Sequence, residues 1–221
     1  MAVSKMAVHQ STQSQGLLRE SARKSFHLLV LGIPIAYHIF HITLEIIILA
    51  FLIILVLFIP IESIRLNFPG FFLNRVVRKS EEGKIAGYVP TTIAWFGLAL
   101  GAQIQLYPFE YAEAAIIATV VGDAAAALAG KSFGTHRLVF TQKKTVEGWL
   151  AGFVVTWFVS GAFLALVEKE FALILGLGVA IIFLLTDLRE NPPTDLLSDN
   201  ILNPILGTIM ATLVATSITM I

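Results

Sequence analysis

Apolar runs long enough to cross a bilayer dominate this chain. A membrane-spanning helix needs about 20 mostly apolar residues. Seven stretches of the 221-residue sequence meet or approach that length: roughly Lys24 to His41, Thr43 to Ile61, Ile85 to Leu106, Tyr111 to Leu128, Gly148 to Val167, Phe171 to Asp187 and Ile201 to Ile221. Charged residues make up 14% of the chain and hydrophobic ones 57%, against about 25% and 45–50% in soluble domains. Two-residue alternation is missing, which argues against a membrane barrel of strands. The expectation is an all-α, polytopic integral membrane protein of about seven transmembrane helices. A polar segment, 1–22, precedes a single transmembrane domain, 23–221. No short apolar run with a small-residue cleavage site stands before Arg23, so the first span is expected to remain as an anchor.

Charge adds orientation. Fifteen basic and fifteen acidic residues cancel, which argues against a nucleic-acid partner. The absence of cysteine excludes disulfides, thiolate-held metals and a thiol nucleophile. With the N-terminus in the cytoplasm and seven alternating spans, every lysine and arginine except Lys169 falls inside, as the positive-inside rule demands. The outer connections are short, for example Tyr107 to Glu110 and Glu168 to Glu170. Every loop able to hold a polar substrate therefore faces the cytoplasm. In the loop after the second span, Pro69-Gly70 breaks the chain. Phe72, Leu73, Val76 and Val77 then share one helical arc, and Asn74, Arg75, Arg78 and Lys79 the other. This spacing reads as a short interfacial helix, or as an ordinary basic loop.

An ionisable side chain inside a bilayer costs roughly 2.5–3.5 kcal/mol at the centre and calls for a reason. Asp123 stands in Gly122-Asp123-Ala124-Ala125-Ala126-Ala127, seven residues before Gly130, or about 10 Å of helix from the inner end. Its small neighbours admit a second helix or a ligand close to the backbone. It is either a ligand-binding or metal-binding carboxylate, or a structural one paired to another helix. The following loop holds Lys131, Gly130, Gly134, then Lys143, Lys144, Thr145, Glu147 and Gly148. Glycines let backbone amides approach an anion and lysines supply charge to phosphate. Thr145 is expected to cap the fifth span, whose positive end then faces the lysines. The same residues also suit plain positive-inside charge before a capped helix. Ala125 to Ser132 fits a loose phosphate-loop pattern, but no strand precedes it, so that motif is rejected.

The last inner loop is acidic, with Asp187, Glu190, Asp195 and Asp199 against Arg189. Carboxylates opposite a lysine loop suit Mg²⁺ carried with a nucleotide; a solvated loop with Asp199 as an N-cap is the alternative. Arg23, Lys24 and His27 share one helical turn at the inner edge and suit lipid headgroups or phosphate, or simple anchoring. Glu62 and Arg65 have the spacing of an ion pair. The five histidines show no zinc spacing.

In order along the chain, Arg23-Lys24-x-x-His27, Glu62-x-x-Arg65, Gly122-Asp123-Ala124-Ala125-Ala126 running to Gly130 and Gly134, Lys143-Lys144-Thr145-x-Glu147-Gly148, and Asp199-Asn200 with Pro204 resemble the CTP-dependent polyprenol, dolichol and phytol kinases. The central part also resembles phosphatidate cytidylyltransferases, but the closing block of those enzymes is missing and no histidine follows His136. Gln142 stands where related sequences commonly carry proline or serine. The resemblance implies an integral membrane phosphotransferase that uses CTP with Mg²⁺ on a membrane lipid alcohol. Its location would be the cell membrane of a prokaryote, or the endoplasmic reticulum or plastid membrane of a eukaryote. Asp123, Lys144 and Asp199 are then the candidate catalytic residues, with Asp123 and Asp199 on the metal. Lys131, Lys143, Lys144, Thr145, Glu147 and Gly148 line the nucleotide site. Arg23, Lys24, His27 and Asn200 support it. A cytidylyltransferase forming a CDP-activated lipid is the alternative activity.

Overall fold

The computed structural model describes residues 31–75, 77, 83–139, 141–188 and 198–220. The expected sites at Arg23, Lys24, His27 and Asp195 lie outside the described residues, as do the polar segment 1–22 and much of the first expected span. The described part of that span is one turn of α-helix, Gly32–Pro34, running into π-helical turns at Ile35–Ile39.

Six longer helices follow: α1 Leu44–Asn67, α2 Tyr88–Gln103, α3 Phe109–Phe133, α4 Val146–Leu166, α5 Ala172–Thr186 and α6 Asp199–Thr219. Four of them, α1, α3, α4 and α6, are long and apolar enough to cross a membrane. The chain is therefore a mostly helical membrane protein. At 16 and 15 residues, α2 and α5 reach only about 24 and 22 Å, less than the roughly 30 Å of hydrocarbon.

Helix pairs that follow one another in sequence pack together, and α3 also closes against α6, so α3–α6 form a four-helix bundle. The α1–α2 pair leans on this bundle through contacts of α2 with α3 and α6. Most of α1 is uncovered, with Ile46, Leu49, Ile53, Val56 and Leu57 at least half exposed. Such a face suits lipid rather than water. The centre of the bundle is built from small side chains, among them Ala114, Ala115, Ala118, Ala180 and Ala211. Small residues let helix backbones approach, the usual source of packing energy where lipid competes for apolar surface. At the α4–α5 contact a Cβ on Gly176 would stand 2.6 Å from the amide nitrogen of Gly161, so only glycine fits.

Two details depart from the sequence reading. The fourth span does not end before Gly130; α3 continues through Gly130, Lys131 and Ser132 to Phe133. Gly130 is thus a helix-packing residue instead of part of an anion-holding loop. A Cβ on its partner Gly148 would lie 2.9 Å from the Gly130 Cα. Secondly, a short antiparallel hairpin, β1 Arg137–Leu138 and β2 Thr141–Thr145, links α3 to α4. The expected interfacial segment contains a 3₁₀ turn at Phe72–Arg75, while Val76, Arg78 and Lys79 lie outside the described residues.

Candidate functional site

Alternating helix directions bring the end of α1, the start of α2, the end of α3, the hairpin, the end of α5 and the start of α6 to one end of the molecule. The chemistry gathers there. Strand β2 delivers Lys144, whose amide donates to the Thr141 hydroxyl at 3.1 Å. Its ammonium donates to Asp187 Oδ1 at 2.7 Å, to the backbone carbonyl of Asp187 at 2.5 Å, and approaches Asp199 Oδ2 at 3.5 Å. Asp187 is the C-cap of α5 and Asp199 the first residue of α6, so one lysine joins three elements. Burial pushes the Lys144 pKa down. The Asp187 carboxylate, with Asp199 behind it, more than offsets this, and the pKa lies above the usual lysine value. The ammonium is therefore charged at neutral pH.

Hydrogen bonds tie the surrounding elements to one another. The Trp149 indole donates to the Leu184 carbonyl at 2.9 Å and ties the first turn of α4 to the last turn of α5. The buried Thr186 hydroxyl donates to Asn203 Oδ1 and ties α5 to α6. Asp199 Oδ1 is buried with no hydrogen-bond partner among the described residues. Asp123, on α3, lies close enough for its charge to act on Asp199. Asn200 sits beside Asp199 in the first turn of α6, half-buried. Among the described residues no three His, Asp or Glu side chains form a metal cage. The orphaned buried oxygen of Asp199 is a hard donor of the type Mg²⁺ takes.

Thr145 caps α4 as its residue type predicts, its hydroxyl accepting from the Gly148 amide at 3.3 Å. Gly148 packs against Ala126 and Gly130 of α3. Glu147 points to the loop before the hairpin, not to Lys144. Its Oε1 accepts from the Thr135 hydroxyl at 2.7 Å and from the His136 amide at 3.2 Å, and lies 2.7 Å from His136 Nδ1. It clamps the hairpin to α4. Lys131 lies on the exposed side of the last turn of α3. Lys143 is on β2, its side chain outside the described residues.

The structure thus brings together Lys144 and Asp199, with Asp123 within range of the Asp199 charge, and adds Asp187, which sequence reasoning left within an acidic loop. Its signal was its place at the end of the sixth span. A solvated loop was one of the two readings of this segment, and Asp187 is 6% exposed.

A second buried polar cluster lies at the same end. Arg65 and Glu62 form an ion pair, with Nε to Oε2 at 2.5 Å and Nη2 to Oε1 at 2.9 Å. Glu62 also accepts from the Ala86 amide at 2.5 Å and the Tyr88 hydroxyl at 2.6 Å, and Arg65 donates to the Lys84 carbonyl. The pair locks the start of α2 onto the end of α1. At the opposite end, His38 lies 2.8 Å from Glu113 and Lys169 lies 3.0 Å from Glu110.

No family model, no curated protein and no solved structure matches this chain.

Proposed function

We propose that this protein is a membrane lipid-alcohol kinase that transfers the terminal phosphoryl group of CTP to an isoprenoid alcohol of the polyprenol or dolichol class. In this reading the chain crosses the membrane about seven times with its N-terminus in the cytoplasm. It belongs with the CTP-dependent polyprenol, dolichol and phytol kinases whose motifs it resembles. The observation that supports the reading is a charged Lys144 held by Asp187 beside Asp199, with the Asp123 charge in range, at the end of the bundle that bears the basic loops.

Phosphoryl transfer asks the protein mainly for positioning and charge stabilisation. Lys144 supplies a fixed positive charge to the nucleotide phosphates, helped by Lys143 and Lys131 and by the positive end of α4 that Thr145 caps. Glu147 and Gly148 hold the hairpin and α4 in the place this requires. Asp123 and Asp199 would hold Mg²⁺, which when bound neutralises phosphate charge. The lipid hydroxyl oxygen attacks the terminal phosphorus, the bond to the CDP oxygen breaks, and the hydroxyl proton goes to one of the two carboxylates, which then serves as base instead of metal ligand. Asn200 orients Asp199, while Arg23, Lys24 and His27, which the sequence puts in the first span, would serve lipid headgroups or phosphate.

The test is purified protein in detergent with labelled CTP and separate lipid alcohols: dolichol, shorter polyprenol, phytol, geranylgeraniol and diacylglycerol. CDP and a phosphorylated isoprenoid are expected, and Lys144→Ala raises the KM for CTP. Pyrophosphate released from CTP and a lipid phosphate would replace this reading with a cytidylyltransferase. Failure to consume CTP with either lipid class would overturn both.

A further inference from the structure

An ammonium group has three donors, and Asp187 takes two of those on Lys144. One goes to its carboxylate at 2.7 Å and one to its own backbone carbonyl at 2.5 Å. The third contact, to Asp199 Oδ2 at 3.5 Å, is at the outer limit of a hydrogen bond. Asp187 is well placed to act as a fixed anchor. Its side chain is 9% exposed. The α5 end that carries it is tied to α4 by Trp149 and to α6 by the Thr186–Asn203 bond. Lys144, by contrast, stands on a two-stranded hairpin, and a lysine side chain there has many rotamers unless something holds it.

We propose that Asp187 is a positioning residue of the phosphate site: it grips the Lys144 ammonium through two donors and leaves the third on the Asp199 side for a phosphate oxygen. The inference rests on the reading of Lys144 as a phosphate-binding residue. A purely structural ion pair would hold the hairpin to the bundle without affecting anion binding. The positioning role requires that Asp187 act on an anion only through Lys144.

The experiment is isothermal titration of the full chain in detergent micelles with tripolyphosphate, a probe that needs no turnover. Asp187→Ala is expected to weaken tripolyphosphate binding by about tenfold, the value of one charge-assisted hydrogen bond at the low end of its range. In a Lys144→Ala background the same change should have no further effect. Asp187→Asn keeps the size and an oxygen acceptor, and should fall between wild type and Asp187→Ala; it carries the test if Asp187→Ala does not fold. Unchanged or tighter binding in both variants overturns the proposal, as does an equal loss in the Lys144→Ala background. A wild-type protein that does not bind tripolyphosphate overturns it together with the phosphate reading of Lys144. Binding that follows the expected pattern in a protein that does not turn over CTP upholds the positioning role while the kinase reading fails.

Discussion

Replacing Gly148 by alanine tests the contact on which the site is built. A Cβ at this position would stand 2.6 Å from the Ala126 carbonyl oxygen, 2.9 Å from the Gly130 Cα and 3.1 Å from the Gly130 nitrogen. All three are backbone atoms of α3, so no side chain can swing away to relieve the clash. Reaching an ordinary contact of 3.4 Å requires α3 and α4 to part by about 0.8 Å, enough to forfeit a large share of the dispersion energy along the contact. Overpacking of this kind costs about 1–3 kcal/mol. The gain in helix propensity from Gly to Ala, at most about 1 kcal/mol, offsets little of it, because Gly148 lies in the first turn of α4. In a domain of this size 1 kcal/mol moves Tm by roughly 2–4 °C, so a fall of about 2–12 °C is expected. Thermal unfolding in detergent followed by tryptophan fluorescence measures it. Gly97→Ala is the control: a Cβ there meets nothing within 4 Å, and it should leave stability unchanged or raise it by about 0.5–1 kcal/mol. A Gly148→Ala protein as stable as wild type would mean that α3 and α4 do not meet at Gly130 and Gly148, and the placement of Lys144 four residues upstream would lose its basis.

Asp123→Asn keeps the shape of the side chain and removes its charge; turnover of CTP should be almost lost while Tm changes little, and a wild-type rate would remove Asp123 from the site. Glu62→Ala leaves Arg65, 2% exposed, as a buried charge without its carboxylate, at a cost of about 3–5 kcal/mol, read as loss of folded protein on size-exclusion chromatography; Tm equal to wild type would refute the role of the pair as a lock. Because the chain has no cysteine, a single Ser132→Cys reports topology cleanly. It should resist an impermeant thiol reagent applied to intact cells and react once the membrane is opened; labelling from outside would invert the assignment.

By itself the sequence determined that the chain is a mostly helical membrane protein and where several of its helices lie. Apolar length sets a membrane helix because unpaired backbone groups are costly in lipid, and that information is local. The expected span Gly148 to Val167 became α4, Val146–Leu166, and Phe171 to Asp187 became α5, Ala172–Thr186. The cap at Thr145 was legible for the same reason, since donor and acceptor are three residues apart. Only the tertiary structure decided what each polar group meets. Lys144 and Asp187 are 43 residues apart, and no local pattern pairs a lysine on one hairpin with a carboxylate at the end of another helix. Glu147 looked like part of the nucleotide site because it follows the lysines, yet it turns to Thr135 and His136. Gly130 was read as a glycine of an anion-binding loop, while the constraint on it in the fold is the approach of Gly148 from α4. A glycine in a sequence records that a side chain is excluded; what excludes it, an anion or another helix, depends on the packing of segments far apart in the chain.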